Sequence, residues 1–282
     1  MINAFVNRSL VKIIFSVVAF SYYVQPLFSQ AKINYGNNAA AGKYYSIRGM
    51  KMYCEVYGSG SPLLLIHGNG GSLGAFTSNI PWLSQKYQVI ATDSRAHGKS
   101  ADTKDSLSFE MMADDEAALL DSMHIKSAYV IGWSDGGIVA LLLAMRHRDK
   151  VIKLVSTGAN LWPDSTAIIP SAWKGEKAYY DSSHTKTFKT PKEKNDWKIF
   201  MLDWLQPNIP APALKVIHCP SLIIGGDHDV ITLEHAVIIY QNIPHAQLWI
   251  LPNSGHGTLI EHTEEFNKKV DDFFQLPFHD HQ

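Results

Sequence analysis

Six continuous apolar runs of strand length recur along the chain: Pro62–Gly68, Gln88–Asp93, Ser127–Gly132, Val151–Thr157, Ser221–Gly226 and Ala246–Pro252. Runs that are apolar on both faces belong in a sheet covered by helices on each side. Ahead of them, YYSIRG and MKMYCEVYG read as two strands joined at Arg48-Gly49. Met50, Met52, Cys54 and Val56 alternate with period two, as in a half-exposed strand. Helical spacing falls between the runs, near residues 75–85, 109–123, 135–147, 232–241 and 261–275. Strand alternating with helix predicts an α/β fold: a mostly parallel, eight-stranded, doubly wound sheet.

One segment breaks the alternation. Residues 160–212 carry Trp162, Trp173, Trp197 and Trp204. Thr190-Pro191-Lys192-Glu193 reads as an N-cap, a proline at the first helical position and a capping-box glutamate. Trp197, Phe200, Met201, Trp204 and Leu205 then recur on one helical face, and Pro207 ends the helix. The segment predicts a small helical cap inserted after the sixth strand. Its aromatic face, with Trp162, is a candidate substrate-pocket lining as well as packing surface.

The N-terminus differs from the rest. Arg8 and Lys12 precede an apolar run, Ile13–Val24, followed by Ser29-Gln30-Ala31. A basic start, a short apolar stretch and small residues before a cut after Ala31 predict a secretory signal peptide over 1–31. The run is short for a transmembrane anchor, which needs roughly 18 apolar residues. The expectation is a secreted or periplasmic protein with no stable membrane anchor after cleavage. Residues 32–43 are small and polar and read as a linker, leaving 44–278 as one domain. Cys54 and Cys219 fall on separate parts of the sheet and are expected as free thiols.

Composition narrows the function classes. Apolar residues make up 46% and charged residues 18%, which is globular rather than disordered. Net charge is −1 with no basic run, so a nucleic-acid partner is not expected. The thirteen histidines lack a zinc spacing such as HExxH, so no metal and no organic cofactor is expected.

In an open α/β sheet, ligands bind outside the carboxyl ends of the strands. Ser134 sits just past one such end, in GWSDGG. Asp227, His228 and Asp229 follow another, and His256 follows the last, in NSGHG. Asn69-Gly70-Gly71 follows the third strand. Serine, acid and histidine in this order suit a nucleophile, an orienting acid and a base. A serine hydroxyl is a poor nucleophile until a base takes its proton. His256 is the candidate base. Asp229 is the favoured acid over Asp227, which could instead bind loop amides. The backbone N–H groups of Asn69 and Asp135 are candidate oxyanion donors. Trp133 flanks the serine and is a candidate pocket residue. His67 reads as a loop-shaping residue, and Asp93, Arg95 and His97 as structural bonds in their loop.

LLLIHGNGG, DSRAHGKS, GWSDGG, GGDHD and SGHG together resemble the α/β-hydrolase superfamily over nearly all of residues 44–274. GWSDGGIVAL, GAN and EEFNKKVDDFF are similar to its biphenyl-hydrolase-like, valacyclovir-hydrolase branch. That resemblance implies a serine hydrolase of small esters, including amino-acid esters, with Ser134, Asp229 and His256 as its triad. The usual DxRGHGxS loop has Ala96 at its first glycine here; a positive φ there would cost about 1 kcal/mol. The resemblance also implies an acid for the substrate's amine on the helix before the elbow. The matched position is Ala118, with Asp114, Asp115, Glu116 and Asp121 nearby, so a preference for amino-acid esters is not expected. A lactone, or a carbon–carbon bond in a vinylogous diketone, could be cleaved by the same triad. Dehalogenases and epoxide hydrolases need a carboxylate nucleophile where Ser134 stands. A non-catalytic ligand binder on this fold is the remaining alternative. The acyl and alcohol groups and the oligomeric state are not readable.

Overall fold

The structure, a computed structural model, describes residues 33–102 and 104–278. The signal-peptide stretch therefore lies outside the described residues. Among the described residues, no helix is long and apolar enough to cross a membrane.

Eight strands form one sheet: β1 (Gly42–Ile47), β2 (Met50–Tyr57), β3 (Ser61–Ile66), β4 (Tyr87–Thr92), β5 (Ala128–Trp133), β6 (Val151–Thr157), β7 (Ser221–Gly226) and β8 (Ala246–Leu251). Their order is β1-β2-β4-β3-β5-β6-β7-β8. β1 and β2 are antiparallel to each other, and β2 is antiparallel to β4; the remaining neighbours run parallel. The β1–β2 hairpin turns at Arg48 and Gly49, whose φ values of 43° and 85° are those a two-residue hairpin turn requires.

The helices are α1 (Ile80–Leu83), α2 (Phe109–Ser122), α3 (Asp135–Arg146), α4 (Pro170–Ser183), α5 (Pro191–Leu205), α6 (Leu233–Asn242), α7 (Thr258–Glu261) and α8 (Thr263–Gln275). Side-chain alternation along the central strands explains the two faces. Leu64, Ile66, Val130 and Leu154 pack with α2, α3 and α6. Leu63, Leu65, Ile131 and Val155 pack with α1 and α8 on the opposite face. Each such leucine, fully withdrawn from water, contributes about 2 kcal/mol.

Some expectations shift. The helix expected near 75–85 is a 3-10 turn at Leu73–Phe76 followed by the four-residue α1. Pro81 suits only a first helical turn, because its ring clashes with a preceding turn. The final helix expected near 261–275 is α8, and a separate short helix, α7, precedes it across His262. The polar stretch before the domain is fastened rather than loose: Gly36 and Asn38 donate backbone N–H groups to the buried Glu55 carboxylate, each at 2.8 Å. Strand β1 begins inside it, at Gly42. Cys54 and Cys219 are both free thiols.

The insertion between β6 and β7 is the cap, with α4 and α5 as its two helices. Thr190 and Glu193 form the expected capping box at α5. The neck is closed by Ile209 N–H donating to Leu161 O at 2.8 Å, and by Leu161 N–H donating to Nε2 of the buried His235 at 2.8 Å.

Candidate active site

Ser134 occupies the corner between β5 and α3, with φ 58° and ψ −122°. Such a backbone costs a non-glycine residue on the order of 1–3 kcal/mol. The neighbours explain why it is tolerated. A Cβ on Gly132 would lie 2.0 Å from Gly136 O, and one on Gly136 2.0 Å from Ile66 O. Only hydrogen fits at either place, so the strand and helix close around the serine. Ser134 N–H donates to Thr157 O at 2.8 Å, fixing the corner to β6.

The serine Oγ lies 2.9 Å from His256 Nε2, and His256 Nδ1 lies 2.6 Å from Asp229 Oδ1. Asp229 Oδ1 also accepts the Ile231 N–H at 3.0 Å, which turns the carboxylate toward the imidazole. The alternative acid, Asp227, instead accepts the Ser254 N–H at 3.0 Å. Three residues far apart in sequence thus form one hydrogen-bonded line at the carboxyl ends of β5, β7 and β8.

The candidate oxyanion donors belong to two segments that meet at Ser134. Asp135 opens α3, where backbone N–H groups lack intrahelical partners. The loop after β3 presses close: a Cβ on Gly68 would meet Ser134 Cβ at 2.9 Å. Asn69 follows Gly68, and its side chain donates to Asp135 Oδ2 at 2.8 Å and to Ile199 O of the cap at 3.3 Å.

From Asn69 a cleft of about 560 Å³ runs outward beneath α5. Its walls include His97, Glu176, Asn195, Ile199, Phe200, Asp203 and Trp204. Lys192, Asn195, Asp196, Ile199, Phe200 and Asp203 recur at helical spacing, so one stripe of α5 forms the roof. Phe200 and Trp204 stand where the aromatic face predicted them. The other pocket candidates stand elsewhere. Trp197 and Met201 project from another face of α5 and line an outer groove against Asp102 and residues 104–107. Trp162 donates to Thr166 Oγ1 at 2.7 Å and stacks edge-on against His235 at the neck. Trp133 donates its indole N–H to His256 O at 2.8 Å. The aromatic periodicity located the helix face that packs, and the cleft takes an adjacent stripe.

Sequence reasoning missed the acids in this cleft. Asp135 and Asp203 lie close enough that the protonation of one depends on the other. Burial pushes the Asp135 carboxyl up to about 6, and burial beside Asp135 pushes Asp203 up as well. Burial and the Asp203 charge raise Glu176 to about 7. The signal for Asp203 was present: it stands in phase with Phe200 and Ile199 within an otherwise apolar run. Asp114, Asp115 and Glu116, near the matched Ala118, are occupied elsewhere. Asp114 pairs with Arg146, Asp115 with the buried Arg95, and Glu116 accepts from Thr92.

The loop residues hold the frame. His67 accepts the Ser94 N–H at Nε2 and bonds Gly68 O through Nδ1, so it is neutral and shapes the loop. Asp93 accepts the backbone N–H groups of Leu73 and Lys99. Ala96 adopts φ 67°, and its carbonyl accepts from Asn195 of α5 at 2.8 Å, tying the loop to the roof.

Residues 61–195 match the model of the alpha/beta hydrolase fold family. The mouse protein named serine hydrolase BPHL is 27% identical over 252 residues, covering 82% of this chain and 85% of that one. The 2-hydroxymuconate semialdehyde hydrolase of Pseudomonas sp. (strain CF600) is 25% identical over 277 residues, covering 84% and 95%. Among solved structures, the meta-cleavage product hydrolase of Pseudomonas fluorescens IP01 superimposes with a TM-score of 0.70 at 25% identity. It covers 84% of this chain and 98% of that one.

Proposed function

We propose that this chain, an enzyme of the α/β-hydrolase superfamily similar to its biphenyl-hydrolase-like branch, cleaves carboxylic esters of small molecules through an acyl-enzyme on Ser134. The observation that carries this reading is the line from Ser134 Oγ to His256 Nε2 at 2.9 Å and from His256 Nδ1 to Asp229 Oδ1 at 2.6 Å.

In the first half-reaction Ser134 Oγ attacks the ester carbonyl carbon, and His256 Nε2 takes the hydroxyl proton. Asp229 stabilises the imidazolium and fixes its orientation. The oxygen of the tetrahedral adduct receives the N–H groups of Asp135 and Asn69, each worth roughly 3–4 kcal/mol of barrier. Collapse breaks the ester bond, and His256 returns the proton to the departing alcohol. Water, deprotonated by His256, then attacks the acyl-enzyme in the reverse geometry and frees the acid.

The cleft suggests the kind of ester. Asp135, Asp203 and Glu176 line or adjoin its inner end. A proton shared between buried carboxyls can be displaced by a cationic amine, which satisfies both oxygens at once. An ester carrying an ammonium group therefore suits this cleft. An anionic dienoate would meet like charge there. A lactone keeps the same chemistry and remains the second reading of the triad.

The test is labelling with a fluorophosphonate, beside turnover of p-nitrophenyl esters, a lactone, a vinylogous diketone and an amino-acid ester. The expected result is a label on Ser134, lost in Ser134→Ala, with fastest turnover of the amino-acid ester. Labelling that survives in Ser134→Ala overturns the mechanism. An unlabelled parent chain favours a non-catalytic binder.

Export is part of the proposal. Its support is the basic, apolar and small-residue order of residues 1–31. N-terminal sequencing of the protein recovered outside the cytoplasm should begin at Lys32.

A further inference from the structure

His256 stands on an irregular stretch between β8 and α7, where no ladder or helix fixes the backbone. Yet the backbone around it is held. Glu261, the last residue of α7, accepts the Gly255 N–H at 2.8 Å and the Gly257 N–H at 3.3 Å. Its two carboxylate oxygens thus take the amides on both sides of the histidine. A Cβ on either glycine would approach Glu261 Oε1 to 3.1 Å, so the absence of side chains lets the carboxylate nest there. Trp133, beside the nucleophile, donates its indole N–H to His256 O at 2.8 Å, and its ring lies 5.9 Å from the imidazole. Gly158 closes another side: a Cβ there would reach 2.8 Å from His256 Cε1. α7 is itself pinned to β6 by Thr258 Oγ1 and Thr157 Oγ1 at 2.8 Å.

We propose that Trp133 and Glu261 are positioning residues that hold the His256 imidazole between Ser134 and Asp229; the proposal rests on the serine-hydrolase reading above. Neither takes part in the hydrogen-bonded line of Ser134, His256 and Asp229. Trp133 acts on the His256 carbonyl from the strand that leads to Ser134, and Glu261 acts on the backbone amides to either side of the histidine. Because Trp133 and Ser134 are adjacent in the chain, the indole bond ties the base to the nucleophile's own strand. A displacement of about 1 Å in such a line can cost on the order of a hundredfold in rate. Charge-assisted bonds from a carboxylate to two backbone amides are strong enough to resist one.

The test compares the parent chain with Trp133→Phe, which keeps a ring and loses the donor, and with Glu261→Gln and Glu261→Ala. Four quantities are read: ester kcat, KM, the fluorophosphonate labelling rate, and the downfield proton resonance of His256 Nδ1–H. The expected result is a fall in kcat and labelling rate of about tenfold in Trp133→Phe and Glu261→Ala. KM should stay within about twofold, and the Nδ1–H resonance should broaden or shift. Glu261→Gln should lie between, since one carbonyl oxygen remains to accept. A kcat within about twofold of the parent together with an unchanged resonance overturns the proposal. So does a loss explained fully by a lowered melting temperature. A parent chain that fluorophosphonate never labels sinks the hydrolase reading instead, while the resonance still reports whether the two residues hold the ring.

Discussion

Asp203 of the cap stands close to Asp135, the first residue of the helix that begins beside Ser134, and burial raises both carboxyls. Two carboxyls this close do not both ionise readily, which gives the cleft a charge that depends on pH and on what occupies it.

The first consequence concerns pH. Asp135 is raised to about 6 and Glu176 to about 7, both chiefly by burial. As pH rises through this window the carboxyls lose protons and bind a cation better. KM for an amino-acid ester should therefore fall between about pH 6 and 7, while KM for a neutral p-nitrophenyl ester stays flat. Parallel steady-state profiles on the two substrates check this; identical profiles would remove the acids from substrate binding.

Neutralising one acid gives the same information at fixed pH. Asp203→Asn should raise KM for the amino-acid ester about tenfold, the equivalent of one hydrogen bond to a charged group. Turnover of the neutral ester should change little, because Asp203 lies outside the line that moves the proton.

Asp229→Asn leaves the shape of the triad and removes the charge that holds the imidazolium. Turnover should drop on the order of 10⁴-fold with KM nearly unchanged. Stopped-flow assays with a chromogenic ester would show this. A loss under tenfold would move the acid's role to another residue.

Ala96 holds φ 67° in the loop after β4, where a Cβ is strained. Ala96→Gly should stabilise the fold by about 1 kcal/mol. For a domain of this size that is roughly 2–4 °C in Tm, readable by differential scanning fluorimetry. The carbonyl at this position keeps its bond from Asn195 in the variant.

Glu116 is buried under β4, with one oxygen accepting from Thr92, and burial raises it from 4.5 to about 8. The folded chain keeps this carboxyl protonated after the unfolded chain has lost its proton. Its contribution favours the fold less and less as pH rises from 4.5 to about 8. At about 1.4 kcal/mol per pKa unit the loss is on the order of 5 kcal/mol. Glu116→Gln, which cannot ionise, should flatten urea-denaturation stability over that range.

The central sheet and the serine, histidine and acid were legible because each rests on a local pattern. Runs apolar on both faces mark buried parallel strands, and the polar residues just past their ends mark the rim. The cap was legible only as an element. Its periodicity located an apolar face, but which stripe overlies the cleft depends on how α5 is rotated, and no short-range signal sets that. Asn69, Ala96 and Asn195 set it through bonds that cross more than ninety residues. Trp133 was misplaced for a similar reason. Its position beside the serine was plain, but its indole turns toward the base's carbonyl, a contact spanning 123 residues. Proline and glycine near residues 74–81 hid the break in a helix that spacing alone drew as continuous.

The roof is fastened to the body mostly by side chains reaching backbone carbonyls: Asn69 to Ile199, Asn195 to Ala96, and Lys198 to Lys104. Anchors of that kind do not depend on the identity of the residue they grasp. Apart from Asn195, whose own side chain is one of these anchors, the inner stripe of α5 can therefore be rewritten without loosening its attachment or disturbing the three groups beneath it. New selectivity in this scaffold should be reached by altering one helical stripe, with the reacting machinery carried along unchanged.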